Sequence, residues 1–412
     1  MENINEYCSD IDELEKKAGE WKGKRMDAPE IEMHGGIVMM KGKESLRDSW
    51  QAPRLVAFSN EEARPGYATK KAHEYEDEPH VLKSKVKELA RLITASQNLC
   101  AYTGAGISTS SGIGDYASKA KETVALQKKR LKNPYLAKPT LAHRVITALY
   151  HSGNLKRWVQ QNHDGLPQKA GLPQEALNEI HGAWFDPSNP VVPMSGSLRG
   201  DLFDDLQKWT KKADLCMALG TSLCGMNADQ LVTKTAHRAM SAWDKRIKKS
   251  AQKSLGSVIV SLQQTQYDNI CTLRIYAKLD VVMALLAKEM GLTIDTHMYE
   301  PNVPKELIVR PDVFIVPYDE NGNLSKNTKT HWNLMKGAKI KVTDGPGTGY
   351  EGIVSGKNED GHYICTLPNQ REGSISQGKV LSKYMLGSWW VESAINGNAP
   401  KLPVVNINEI KT

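Results

Sequence analysis

Apolar and polar positions follow two different rhythms along this chain, and the change comes near Gly291. Before it, Val81, Val86, Leu89, Ala90 and Ile93 share one helical face, so an amphipathic helix is predicted over residues 81–96. Short apolar runs at 99–102, 157–161, 215–219 and 258–262 predict buried strands. Helical periodicity between and after them covers 141–151, 174–179, 202–212, 228–242 and 281–290. Strands alternating with helices predict an α/β fold with a Rossmann-like parallel sheet and helices on both faces. Ligands of such sheets bind at the carboxyl ends of the strands. After Gly291 the period shortens. Runs at 338–342, 350–355, 361–367 and 379–384, punctuated by glycine turns, predict a small β-barrel over 336–393. Ile340, Val342, Ile353 and Ile364 are expected to face inward.

The remainder of the chain has weaker patterning. Residues 1–80 read as an irregular extension with one charged helix candidate at 11–21. Its large apolar residues, Trp21, Met39, Met40, Trp50, Leu55 and Phe58, lack the spacing of a private core. They are expected to dock onto the α/β domain, taken as 81–293, or onto partners. Residues 294–335 read as a connecting segment and 394–412 as a tail, whose Leu402, Val404, Val405 and Ile407 could add a strand to a neighbour's sheet.

Composition changes this picture little. With 40% hydrophobic and 25% charged residues, the 412-residue chain suits a globular protein of more than one domain. The apolar runs fall far short of the roughly 20 residues that cross a bilayer, so no membrane segment is expected. Six scattered cysteines without a C-x-x-C pair suit free thiols in a reducing, intracellular setting; nucleus, cytoplasm and cytoskeleton stay open. The net charge of +7 is concentrated in runs at 119–132 and 245–253. Such runs are ordinarily solvated helix faces; the sharper reading is attraction to an acidic polymer.

Candidate chemistry begins at the first strand. Gly104, Gly106 and Gly112 follow it in a G-x-G-x5-G spacing, which departs from the usual dinucleotide fingerprint but can still bring backbone amides to a pyrophosphate. Further on come Gln161-Asn162-His163-Asp164, then Glu179-Ile180-His181-Gly182, then Gly220-Thr221-Ser222, then the strand ending near Gln263. In this order the five pieces resemble the sirtuins, the NAD-dependent protein-lysine deacylases, over about residues 80–293. The stretch 273–283 looks most like the class IV branch, and 335–354 resembles KOW and SH3-like barrels.

The resemblance implies NAD as cofactor and an acyl-lysine protein as substrate. It makes His181 the base at a ribose hydroxyl, Asn162 a nicotinamide-ribose ligand and Asp164 the carboxamide acceptor. Gly104, Ala105, Gly106 and Ser108 would cradle the pyrophosphate, while Gly220, Thr221 and Ser222 would face the adenosine end. Asp115, Tyr116 and Gln161 complete the cofactor set.

Several family features are missing. Gly114, Asp115, Tyr116 and Ala117 stand where Pro-Asp-Phe-Arg is usual, and an alanine cannot supply the arginine's cation. Pro167, Met194, Ser195, Ser261, Tyr276 and Ala277 also depart from the pattern. The interval 182–219 holds one cysteine, Cys216, where the family carries four, so no zinc site is expected. Three readings stay open. One is an NAD-dependent deacylase, and another an NAD hydrolase. The third is a non-catalytic sirtuin-fold component of a large assembly with an acidic nucleic-acid or microtubule-type partner, which could still bind NAD or ADP-ribose.

Overall fold

The computed structural model describes residues 23–40, 42–125, 130–193, 195–243, 254–367, 374–375, 378–379 and 383–407. The helix candidate at 11–21, the basic run at 245–253, the core of the other basic run (Lys128 and Lys129) and Met194 lie outside them. The described residues divide into two compact units. The first draws on 1–132, 137–159 and 204–296, the second on 133–136, 160–203 and 297–412.

The first unit is built on strands β1 (Leu99–Thr103), β2 (Leu155–Gln160), β3 (Leu215–Leu219), β4 (Gly256–Val260) and β5 (Leu273–Ile275), in the order β5-β4-β3-β1-β2. The pairs β1–β3, β3–β4 and β4–β5 are parallel. Every residue of β1, β3 and β4 is buried, so both faces of the sheet are covered, as parallel sheets require. Helices α1 (Pro79–Ala95), α2 (Leu141–His151), α3 (Gly200–Lys212), α4 (Gln230–Trp243) and α5 (Leu279–Met290) agree with the predicted ones to within a turn. Helix α2 begins at a capping box, with Thr140 accepting from the His143 amide and the His143 ring reaching back.

One predicted helix is absent. Residues 174–179 form a single 3-10 turn, Gln174–Ala176, and then a strand, Leu177–Glu179. Leu177, Asn178 and Glu179 are all buried, and burial on every side overrides the helical spacing of a six-residue window.

The N-terminal extension docks on its own unit. The Gly36 and Ile37 amides donate to the carbonyls of Cys271 and Thr272, both at 2.8 Å, and the Asp77 amide donates to Tyr276 O at 2.7 Å. Two small antiparallel pairs, Arg54–Ala57 with Glu74–Glu76 and Glu62–Arg64 with Ala68–Lys71, add further backbone pairing, and the Tyr75 amide donates to Leu262 O at 2.8 Å. Lys85 of α1, fully buried, meets Asp77 at 2.6 Å and donates to Met33 O at 3.1 Å. The Tyr276 hydroxyl donates to Glu32 O at 2.9 Å. The extension is therefore fastened by these polar contacts, which a search for apolar periodicity misses, and by burial of Met26, Ile37, Val38, Trp50 and Tyr75, while Met39 and Phe58 stay exposed.

In the second unit, β6 (Ile308–Arg310), β7 (Val313–Val316) and β8 (Thr330–Asn333) form a small antiparallel sheet. A second antiparallel sheet runs β12-β11-β10-β9-β13, with β9 (Lys339–Val342), β10 (Glu351–Lys357), β11 (Tyr363–Thr366), β12 (Lys383–Leu386) and β13 (Val404–Asn406). Helix α6 (Trp389–Ile395) links β12 to β13. The tail strand β13, expected to reach for another molecule's sheet, instead pairs with β9 of the same chain. Ile340 and Val342 face inward, but Ile353 is 40% exposed while its neighbour Val354 is buried. On β11 it is Tyr363 and Cys365 that are buried, with Ile364 only partly so. The inward phase of β10 runs through Gly352 and Val354. A side chain at 352 would meet Thr366 O at 2.2 Å, so the position allowing closest approach set the register, not the largest aliphatic residue.

Candidate functional site

The sequence-predicted residues gather into two groups, one in each unit. The first group lies where β1 and β3 end. The Gly104 amide donates to Leu219 O at 3.2 Å and the Gly106 amide to Gly220 O at 2.8 Å. Gly220 has φ of +59°, and a Cβ there would sit 2.6 Å from Ile107 N. A Cβ at Gly106 would sit 2.8 Å from Gly220 O. The two glycine turns thus interlock backbone to backbone, and their glycines serve that contact first. The Gly104 and Gly106 amides are spent within it, and the Gly220 amide donates to Val260 O at 3.0 Å. The amides of Ala105, at the start of a 3-10 turn, and of Ser222 make no hydrogen bond among the described residues. These two donors face no competing protein acceptor.

Around them, Ser108 and Thr221 are buried, and the Leu223 amide donates to Thr221 Oγ1 at 3.3 Å. The Tyr102 hydroxyl donates to Asp229 Oδ1 at 2.8 Å. The other Asp229 oxygen accepts the Gly225 and Met226 amides, which fixes the turn after Ser222. Asp115 turns inward on its own loop and accepts from the Ser118 amide and hydroxyl at 2.8 and 2.9 Å. Tyr116 is 74% exposed, with Arg64 standing 5.5 Å from its ring centroid.

The second group comprises Gln161, Asn162, Asp164 and His181. Asp164 is buried; its Oδ1 accepts from the Leu166 amide at 3.1 Å and from Gln160 Nε2 at 3.4 Å. Two bonds lock the His163 segment to the His181 segment. The His163 Nδ1–H donates to Gly182 O at 2.9 Å, and the Trp184 amide donates to His163 O at 2.8 Å. Burial, helped by the adjacent His163, pulls the His181 imidazole down to about 4, against a hydrogen bond with the Gln161 backbone. The ring is therefore neutral over the physiological range, with an unprotonated nitrogen of lowered basicity.

Behind His181 sits Glu179, whose carboxyl burial and the Asp186 charge push up to about 8, against hydrogen bonds from Gln168 and Gln174. Within the cysteine-poor interval after His181, residues 186–190 form a tight turn, with Asp186 Oδ1 accepting from the Ser188 amide at 2.8 Å and its hydroxyl at 2.7 Å. Arg199 closes it by donating to Ser188 O at 3.0 Å and reaching Asp344 at 3.4 Å. Among the described residues no group of three His, Cys, Asp or Glu side chains could hold a metal ion. Likewise, no helix among them is long and apolar enough to cross a membrane.

Sequence reasoning missed the residues that support this second group. Phe185, Trp389, His362 and Gln174 cluster behind the 161–165 and 179–185 loops. The available signal was the Gly387-Ser388-Trp389-Trp390 run, which breaks the strand rhythm with large aromatic residues. The sequence predicts that the segment 184–196 packs on the core through Trp184, Val191 and Val192. Phe185 carries that packing, with Trp184 only partly buried beside it and Val191 and Val192 half-buried.

No family model matches the chain. Among known proteins it is 30% identical over 266 residues to the NAD-dependent protein deacetylase SRT1 of Arabidopsis thaliana, covering 55% of this chain and 53% of the relative. To the NAD-dependent protein deacetylase sirtuin-7 of Mus musculus it is 32% identical over 258 residues, covering 54% and 63%. To the NAD-dependent protein deacetylase Sirt6 of Drosophila melanogaster it is 30% identical over 269 residues, covering 54% and 80%. The chain thus spans between about half and two thirds of the length of the first two of these relatives. A solved structure of Sir2 with a p53 peptide and NAD+ aligns with 50% of the chain and 98% of its own at 24% identity, but its TM-score of 0.40 adds nothing to the comparison. Four fifths of the Drosophila protein is matched at 30% identity, and on that ground the chain belongs to the sirtuin family.

Proposed function

We propose that this chain is an NAD-dependent protein-lysine deacylase of the class IV branch, built without the zinc module. The observation that carries the reading is the neutral His181 on a loop locked to the His163 segment, with the buried Asp164 one residue beyond. The relatives' names speak of NAD and deacetylation, and the first group of residues suits such a cofactor. Ala105 and Ser222 offer unspent amides beside the interlocked turns, where no side chain from Gly104, Gly106 or Gly220 intrudes. Bound there, NAD would supply an electrophilic anomeric carbon and a nicotinamide leaving group.

The chain's own residues then divide the work. Ala105, Ser108, Thr221 and Ser222 hold the diphosphate and adenosine end, flanked by Gly104, Gly106 and Gly220, with Asp115, Tyr116 and Gln161 completing the cofactor set. Asp164 accepts the carboxamide N–H, Asn162 binds the ribose, and His181 takes the ribose hydroxyl proton at its unprotonated nitrogen. The five free thiols buried among the described residues suit an intracellular setting, and the β9–β13 sheet is read as an SH3-like barrel.

A second reading is favoured by Ala117. Its side chain offers no cation, and its carbonyl is occupied by Gln263 Nε2 at 2.8 Å, which suits a non-catalytic component of a large assembly. One experiment separates these readings: the purified chain, NAD and an acetyl-lysine peptide, with free nicotinamide followed over time. Release that requires the peptide is expected. Release without peptide points to an NAD hydrolase. No release in either condition overturns the enzymatic reading and leaves the assembly component.

A further inference from the structure

We propose that Trp389, in the first turn after the C-terminal sheet, is a positioning residue for the loops that carry Asn162, Asp164 and His181; the catalytic part of this statement rests on the reading above. The indole is buried at 3% exposure. It stands 5.4 Å from the Phe185 ring and 5.1 Å from the His362 ring, centroid to centroid. Its N–H donates to Gln174 Oε1 at 2.9 Å, and the same oxygen accepts from Gln168 Nε2 at 3.0 Å.

Two points tie this cluster to the polar loops. The first is Gly165, next to Asp164, in the left-handed region at φ +65°. A Cβ there would lie 2.7 Å from Phe185 Cδ2 and 3.0 Å from Trp389 Cη2, so the two rings press directly on the turn that follows Asp164. The second is Phe185 itself. Its carbonyl accepts the Gly387 amide at 3.0 Å, and the preceding Trp184 amide holds His163 O. Pulling the rings away would release Phe185, then Trp184, then the bond that aligns the His163 and His181 segments.

The placement of Trp389 is built in. A Cβ at Gly387 would lie 2.2 Å from Trp389 Cε2, so only glycine lets the indole fold back over its own strand end. Two further clamps join the same faces. Buried Lys169 donates to Tyr135 O at 2.7 Å and to Asp360 at 3.1 Å, and Arg199 reaches both Ser188 and Asp344. The sheet built by β9–β13 therefore acts as the backing plate for the loops.

The test uses the full chain with Trp389→Ala and Trp389→Phe. Amide hydrogen exchange is followed at Trp184 and Val192, whose donors hold His163 O and His181 O. For Trp389→Ala, exchange about tenfold faster or more is expected at these two amides, with β1 and the Gly106 turn unchanged. Wild-type rates at Trp184 and Val192 would overturn the proposal whether or not the chain proves to be an enzyme. In nicotinamide release, kcat should fall about tenfold or more in Trp389→Ala while NAD affinity stays within about twofold, with Trp389→Phe restoring most of kcat. Equal loss of kcat and NAD affinity in both variants would show a merely structural residue and overturn the positioning role. Should Trp389→Ala not fold, Trp389→Phe decides by the same exchange measurement. It retains the ring but loses the bond to Gln174, and about threefold faster exchange at Trp184 is expected, with wild-type rates overturning the idea. A wild-type chain that releases no nicotinamide at all would remove the enzymatic reading and leave the exchange result to judge Trp389.

Discussion

The two units hold their functional residues by opposite means. In the first, the interlocked turns at Gly104–Gly106 and Gly220 are fixed by backbone hydrogen bonds at the ends of adjacent parallel strands. In the second, the His163 and His181 loops are tied to each other by the Trp184 amide and the His163 ring and lean on side chains from farther along the chain. They rest on side chains: Phe185, Trp389, His362, Gln174 and Lys169. Backbone fixing tolerates variation in side chains provided the glycines stay. Side-chain fixing makes a loop depend on residues remote in sequence. The comparison implies that the first site is robust and the second adjustable, and four changes test it.

The largest effect is expected from Phe185→Ala. Removing a fully buried ring from the centre of the supporting cluster should cost about 3–5 kcal/mol, read as a lower denaturant midpoint for the transition that reports on the second unit. A loss under about 1 kcal/mol would mean the cluster does not bear the load.

Next comes Asp77→Ala in the first unit. Lys85 and Asp77 are both fully buried in their side chains, and burial shifts each towards its neutral form, Lys85 downward and Asp77 upward. Leaving Lys85 unpaired should cost about 3 kcal/mol, whereas replacing both by methionine and leucine should be near neutral. If the single and double changes cost the same, the pair is not the fastening of the extension.

Glu179→Gln sharpens the second unit's dependence on protonation. The folded-state pKa of Glu179 lies near 8, above the unfolded value of 4.5, so the folded state binds the extra proton. Its contribution is fully present below pH 4.5 and is lost as pH rises through 8. The glutamine variant should lack this decline, flattening the stability–pH profile between those limits by on the order of 4 kcal/mol. Unfolding curves at pH 5 to 9 that stay parallel in wild type and variant would refute it.

The smallest effect is expected from Lys70→Ala, which removes a partly exposed ion pair with Glu32 at 3.0 Å. A change of about 0.2–1 kcal/mol, vanishing in high salt, is the expected result in thermal unfolding. Anything larger would place more of the extension's attachment on its surface than the buried contacts suggest.

The same contrast explains what was legible in the sequence. Strands β1, β3 and β4 and helix α2 are readable because continuous burial or a 3.6-residue face leaves a mark in a short window. The glycine turns are readable because a close approach excludes other residues. The loops around His181 could be identified as chemistry but not as structure, because what shapes them lies in α6 and β12, far along the chain. The phase of β10 was misread at Ile353, since period-two alternation names two faces without saying which is inside. The 23–77 segment hid its attachments in backbone amides and in Asp77, Lys85 and Tyr276, and polar contacts leave no periodicity.

The pairing of β13 with β9 has a consequence for synthesis. The loops at 160–203 leave the ribosome well before the strand that completes the sheet backing them. At about 5–20 residues per second, the 406 − 203 = 203 intervening residues take about 10–40 s to add. During that interval Phe185 lacks its ring partner from α6 and has only the earlier-made Tyr135 and Lys169 beside it. The nascent chain thus passes through a defined window in which its second unit is a substrate for chaperones, while the parallel sheet of the first is complete once residue 275 has emerged.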